Sequence, residues 1–268
     1  MSTGVAGPLR VVRQSAVVAL ADLRSVYTVK SWTFGWLTRM LAQVVVFSLI
    51  GTLLGDPARL RYLVVGNALM TCVVETMMVV ASTSWERTTG TLPLLVAAPG
   101  RVAWVFAGRS VFWPMSGAAT SVIALLGLAP LFGVRWSAAQ VPVVVLLVLL
   151  TAATTYCVGL CVAGLTLSVS GLRNVASNVS YLSMMAVCGV VVPTDFWPAP
   201  VRALAAALPL THSLAALRGL GRGDPAAALL GDVGWSLLLG AGWLIAAAGA
   251  FTAFVRSGRR AGSFDFGE

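Results

Sequence analysis

Few side chains in this sequence could do chemistry, and their spacing narrows the choice further. His212 is the only histidine. A general base or a metal ligand needs partner groups around it, and none cluster with His212 in sequence, so it reads as a polar tip on a short helix. Cys157 and Cys161 share a helix face at i, i+4, but no His or carboxylate joins them, and no metal site is expected. All four cysteines, Cys72, Cys157, Cys161 and Cys188, lie in apolar runs, where a thiol acts as a small apolar side chain. The stretch "GLGRGD" at 219–224 lacks the Gly-Lys-Ser/Thr ending of a phosphate loop. Asn178-Val179-Ser180 fits a glycosylation pattern but falls within an apolar run, which argues against modification. Glu75 remains, an acid in the middle of a long apolar stretch, and its meaning depends on what surrounds it.

The surroundings are set by composition. Of 268 residues, 58% are hydrophobic and only 10% charged, and mean hydropathy is +0.90. A soluble domain carries about 25% charged residues, so the solvent for most of this chain is lipid. The net charge of +9 is spread over loops and helix ends with no aromatic-basic surface beside it, which excludes nucleic acid as a partner. It matches instead the Lys and Arg that membrane proteins collect on their cytoplasmic side. Residues 1–31 carry Arg10, Arg13, Asp22, Arg24 and Lys30 without an ordered apolar core and cleavage site, so no signal peptide is expected there.

Six apolar runs reach spanning length, about 20 residues each: roughly 33–54, 62–82, 108–132, 141–168, 175–193 and 230–255. Continuous runs of this kind are helices, because a helix satisfies its own backbone in lipid. The predicted class is therefore all-α integral membrane protein with six transmembrane helices. With both termini cytoplasmic, twelve of the 18 Lys and Arg fall inside and six outside, which favours that orientation. Residues 1–31 form an N-terminal segment whose apolar residues recur at helical spacing, interleaved with Arg10, Arg13 and Arg24; this predicts a helix lying in the cytoplasmic interface. Residues 32–258 form the six-span domain, and 259–268 a cytoplasmic tail. The segment 193–228 is too apolar for a free loop and is broken by Pro193, Pro198, Pro200 and Pro209. It reads as a re-entrant helical hairpin before the sixth span, with Trp197 at the interface, and Thr211 and His212 belong to it.

At the depth of the second span an ionisable residue is costly and faces the bundle or a cavity. Glu75 then either lines a path or pairs with a basic group, or else it is protonated or hydrogen-bonded to a neighbouring helix in a purely structural role. Thr151, Thr154, Thr155 and Tyr156 add polarity to the fourth span and serve equally for a path or for helix packing.

The most polar interruption of the first half is "STSWERTTGTLPLLVAAPG" at 82–100. Thr83-Ser84-Trp85-Glu86 has the form of a capping box, Gly90 breaks the helix it starts, Thr91 caps another with Pro93 in its first turn, and Pro99-Gly100 stops it. A brief apolar helix, "LPLLVAA", thus stands outside the bilayer between spans two and three. These residues, Glu86, Arg87, Gly90, Thr91, Leu92, Leu94, Leu95 and Pro99, resemble the cytoplasmic coupling helix of type-2 ATP-binding-cassette (ABC) exporter permeases. "VVVPTDFWPAPVRALAAALPLTHSLAALR", with Pro193 and Pro209-Leu210-Thr211, resembles the same family's re-entrant hairpin. Together with the interfacial helix and six spans, the likeness covers nearly the whole chain. It departs at Pro93, where the family often has an acidic residue.

The resemblance implies a permease subunit in the plasma membrane. It would export an amphipathic substrate (a drug, antibiotic, lipid or glycan-lipid) using ATP hydrolysed elsewhere. The chain has no Walker A motif, so ATP and Mg are expected on a partner, an ABC ATPase subunit present in two copies, with none bound here and no catalytic residues on this chain. A second permease subunit, identical or related, and membrane lipids are the other expected partners. The alternative is an ATP-independent secondary transporter or integral-membrane enzyme; a proton-coupled carrier would want several intramembrane acids, and an enzyme clustered His or Asp. The orientation is testable: Ser84→Cys or Thr89→Cys is expected to resist membrane-impermeant thiol reagents added outside intact cells and to react after permeabilisation, and labelling from outside would reverse the topology.

Overall fold

The computed structural model describes residues 10, 12–17, 28–83, 102–167 and 173–261, and they are helical or in short connections throughout. Five helices are long and apolar enough to cross a membrane: α1 (Trp32–Leu53), α2 (Pro57–Thr83), α3 (Trp104–Phe132), α4 (Val141–Thr166) and the apolar stretch Ala226–Ser257 of a helix α8 that runs on to Ala261. Between α4 and α8 lie α5 (Arg173–Val187), α6 (Ala199–Ala206) and α7 (Pro209–Arg222). The pair α6 and α7 is bent by 82° and raises the number of spans to six if counted as one broken span. Residues 12–17 are helical within the stretch read as interfacial.

Most expected boundaries fall within a few residues of the helices. The fifth differs. Of the run 175–193, only residues up to Val187 are in α5, whose described part of 15 residues is about 22 Å long at 1.5 Å per residue. The cause is Gly189, whose φ of +83° turns the chain where an L side chain would resist. The apolar residues 190–192 then pack inward instead of extending the helix. The hairpin does consist of two short helices, introduced by a 3₁₀ turn at Thr194–Phe196. At the C-terminal end α8 absorbs residues 259–261 of the expected tail.

Local sequence explains the ends. Asp56 caps α2 by accepting from the Ala58 amide at 2.8 Å, with Pro57 in the first turn, where its missing N–H costs nothing. Ser137 and Gln140 exchange side-chain and backbone hydrogen bonds just before α4, a capping box whose glutamine also donates to the Leu220 carbonyl. Arg222-Gly223-Asp224 is the stop of α7: Gly223 is left-handed at φ +80°, the Asp224 amide returns to the Gly219 carbonyl, and Arg222 pairs with Asp224.

The bundle is built round α2. Fully 94% of its apolar window is buried within the chain, against 22% for α1 and 17% for α8, so α2 is the axis and α1 and α8 are the outer flanks. Helix α2 packs on α1, α3 and α4, and α4 in turn on α8 and α7. Small residues let the backbones close up: a Cβ at Gly117 of α3 would lie 2.7 Å from the Cys72 carbonyl of α2, and one at Gly240 of α8 2.8 Å from Thr154 of α4.

Arg218 of α7 fastens this bundle at the hairpin side. Its guanidinium donates to the carbonyls of Gly189 at 2.7 Å, Tyr62 at 3.1 Å and Val190 at 3.3 Å, and lies 3.3 Å from the centroid of the Tyr62 ring. The Tyr62 hydroxyl donates to the same Gly189 carbonyl. A planar fork of donors thereby serves carbonyls that the end of α5 leaves unsatisfied, and ties α7, α5 and α2 together. Arg218→Ala is expected to destabilise the protein by roughly 2–4 kcal/mol, because those carbonyls lose their donors in a water-poor setting. Arg218→Lys should recover less than half of the loss. Thermal unfolding of the detergent-solubilised variants measures both, and an Ala variant as stable as the parent would refute the role.

Candidate functional site

The residues expected to couple to an ATPase, Glu86, Arg87, Gly90, Thr91, Leu92, Leu94 and Leu95, lie outside the described residues. Their anchors are described. Helix α2 ends at Thr83, whose hydroxyl donates to the Val79 carbonyl, and α3 returns a few residues after the segment. A separate apolar cluster fills this end of the bundle, formed by Val79, Val80, Phe106, Leu160, Ala247 and Phe251 among others. In it Phe106 of α3 stacks on Phe251 of α8 with centroids 5.3 Å apart.

The polar residues of α4 are packed between helices. Thr151 is fully buried and donates to the Leu147 carbonyl. Thr154 donates to the Leu150 carbonyl and stands 3.4 Å from Ser236 of α8. Thr155 is buried with no hydrogen-bond partner among the described residues. The Tyr156 hydroxyl lies 2.7 Å from Ser110 Oγ and donates to the Ala107 carbonyl, which binds α4 to α3. Within a single chain Thr154 and Tyr156 tie α4 to α8 and α3, while Thr151 bonds within α4 itself.

The hairpin elbow is held by its own carbonyls. Thr211 donates to Ala205, His212 Nε2 to Ala206 at 3.0 Å, Trp243 of α8 to Ala207 and Ser236 of α8 to Pro209. These are the acceptors that the end of α6 and the bend leave open. His212 also stacks on Trp235 and faces Asp232 at 3.9 Å, so the lone histidine is a structural tie. Pro193 opens the 3₁₀ turn, Trp197 donates to the Ala186 carbonyl of α5, and Pro209 occupies the first turn of α7.

Glu75 is the exception to this economy. It is fully buried on α2, two residues before a break at Met77 whose carbonyl accepts from Ser177 of α5 at 2.9 Å. Ser116 of α3 donates to its Oε2 at 2.5 Å, and the Trp32 indole of α1 donates to Ser116 at 2.8 Å. Thr120 of α3 and Trp36 of α1 lie within interaction range of the same carboxyl. Yet Glu75 Oε1, Trp36 Nε1 and Thr120 Oγ1 each lack a hydrogen-bond partner among the described residues. The two tryptophans come from a π-helical turn, Trp32–Leu37, a rare geometry found frequently at functional sites. Sequence reasoning singled out Glu75 but not its partners. They come from 39 to 45 positions away, and no local pattern joins them.

A second feature also went unread. Helix α5 exposes Asn174, Asn178 and Ser183 beside the exposed Val175, Val179 and Leu182. The Asn pair at i, i+4 is visible in the sequence. Among the described residues no group of three His, Cys, Asp or Glu could hold a metal ion.

No curated protein matches the chain. The family model described as "ABC-2 type transporter" matches residues 16–220, from ahead of α1 to near the end of α7, with the segment 84–101 inside it. The match spans well over half of the chain and fits a multi-pass helical membrane domain, a transport subunit of a family whose members associate with an ABC ATPase; the chain belongs to the ABC-2 type transporter family.

Proposed function

We propose that this chain is the permease subunit of an ABC exporter in the plasma membrane, with both termini cytoplasmic. ATP hydrolysis on a separate pair of ATPase subunits would drive an amphipathic substrate outward. The segment around Glu86–Leu95 receives the push: it is joined at both ends to helices, α2 and α3, that reach deep into the bundle. Two states of the bundle, biased by nucleotide on the partner, do the transport. The family match over residues 16–220 carries this reading.

The exposed Asn174, Asn178 and Ser183 on α5 support a paired arrangement. Polar side chains at membrane depth do not face lipid; they meet another helix or water. Helix α5 therefore turns toward a second permease chain or the path between the two chains. The polar residues of α4 sit one layer behind and bear on the path through packing, as Glu75 does through α2 and α3. The N-terminal segment lies on the cytoplasmic interface, and α6–α7 is the re-entrant element.

The test is reconstitution. Co-expressed with its ATPase and purified through a tag on one chain, the complex is expected to survive mild detergent and to hydrolyse ATP. Deletion of residues 88–97 is expected to abolish both association and export. A chain that never retains an ATPase, and that exports equally well without those residues, would overturn the reading.

A further inference from the structure

A carboxyl group buried in an apolar setting carries either a proton or a counter-cation. Glu75 accepts a formed hydrogen bond at one oxygen, from Ser116, while the Thr120 hydroxyl and the Trp36 indole lie within interaction range of the carboxyl without completing one. Ser116 gives its proton to Oε2 and takes one from the Trp32 indole, a relay directed toward an acceptor, while Oε1 has no donor among the described residues. The ion pairs seen elsewhere, Arg59–Asp56, His212–Asp232 and Arg222–Asp224, do not involve it.

Besides Thr120, the carboxyl has the Trp36 indole within interaction range. Trp36 and Trp113 form a tilted pair with centroids 6.1 Å apart, and Trp32 sits one helical turn from Trp36. Trp32 and Trp36 are half-buried on α1, a helix otherwise open to lipid. The indole of Trp36 already attracts one cation, since the Arg39 guanidinium lies 5.7 Å over it. An acid beside tryptophan faces is the pattern that recognises organic ammonium groups. The π-helical turn of α1 is also the locally irregular element whose regularisation would move both indoles.

We propose that Glu75, Ser116, Trp32 and Trp36 form a binding site for a lipophilic amine in its ammonium form, entering from the lipid between α1 and α3. The ammonium donates to Glu75 Oε1, and the apolar body lies against the indoles. Binding does not depend on the permease reading; only the use of the site as a station for exported amines does.

The experiment uses the full-length chain in phosphatidylcholine nanodiscs without any ATPase, so that failure of coupling and failure of binding are separate results. The probe is dansylcadaverine, a primary ammonium whose dansyl group accepts energy from tryptophan; the control is N-butyl dansylamide, which is neutral. Saturable energy transfer is expected for the ammonium probe only. Glu75→Gln is expected to weaken its binding by about tenfold or more, the loss of at least one decade in Kd, and Glu75→Asp to retain part of it. Equal affinity of wild-type protein for the charged and neutral probes would overturn the site, and needs no variant to fold. So would a folded Glu75→Gln protein that binds the ammonium probe unchanged.

Discussion

Everything in this bundle answers to one constraint: inside lipid, no polar group can borrow a partner from water. The chain meets it by folding hydroxyls and amides back onto their own helices. Ser48 donates to the Val44 carbonyl, Asn67 to Leu63, Thr71 to Ala68, Thr83 to Val79, Ser110 to Phe106 and Thr151 to Leu147. Each bond shares a carbonyl already used by the helix, so the side chain is satisfied without a second helix being required. This is why α2 can be nearly all buried while carrying Asn67 and Thr71.

Where the backbone itself departs from helix, the same constraint demands borrowed donors. The end of α5 takes them from Arg218 and Tyr62, and the elbow between α6 and α7 takes them from Thr211, His212, Trp243 and Ser236. The broken segment is thus fastened to α2 on one side and to α8 on the other. Glu75 stands out against this background. Its partners are few, they come from two other helices, and one oxygen is left over.

The apolar runs were legible because lipid imposes length. The stretch 141–168 emerges as Val141–Thr166, and 33–54 as Trp32–Leu53. The end of α5 was not, because hydropathy cannot register that Gly189 takes a positive φ and that Arg218 waits for its carbonyl. The roles of Thr151, Thr154 and Thr155 were undecidable in one dimension: polar residues at helical spacing look the same whether they face a path or a neighbouring helix. Glu75 declared itself by cost alone, whereas Ser116 and Trp32 needed three helices to be brought together. The segment 84–100 was read from its turn chemistry and its resemblance, and its placement lies outside the described residues.

Helix α8 carries a consequence for the membrane around the protein. Between Asp232 and Arg256 its uncharged stretch measures some 36 Å at helical rise, a few ångströms more than a typical hydrocarbon slab, so the helix is long enough to span with some tilt. The mismatch to be taken up depends on how thick the surrounding lipid is, and the packing of α8 on its neighbours shares in setting the tilt. Because Ser236 and Trp243 on this same helix grip the elbow, a thicker or thinner bilayer alters the angle at which the elbow is held, and lipid composition becomes a mechanical input to the hairpin.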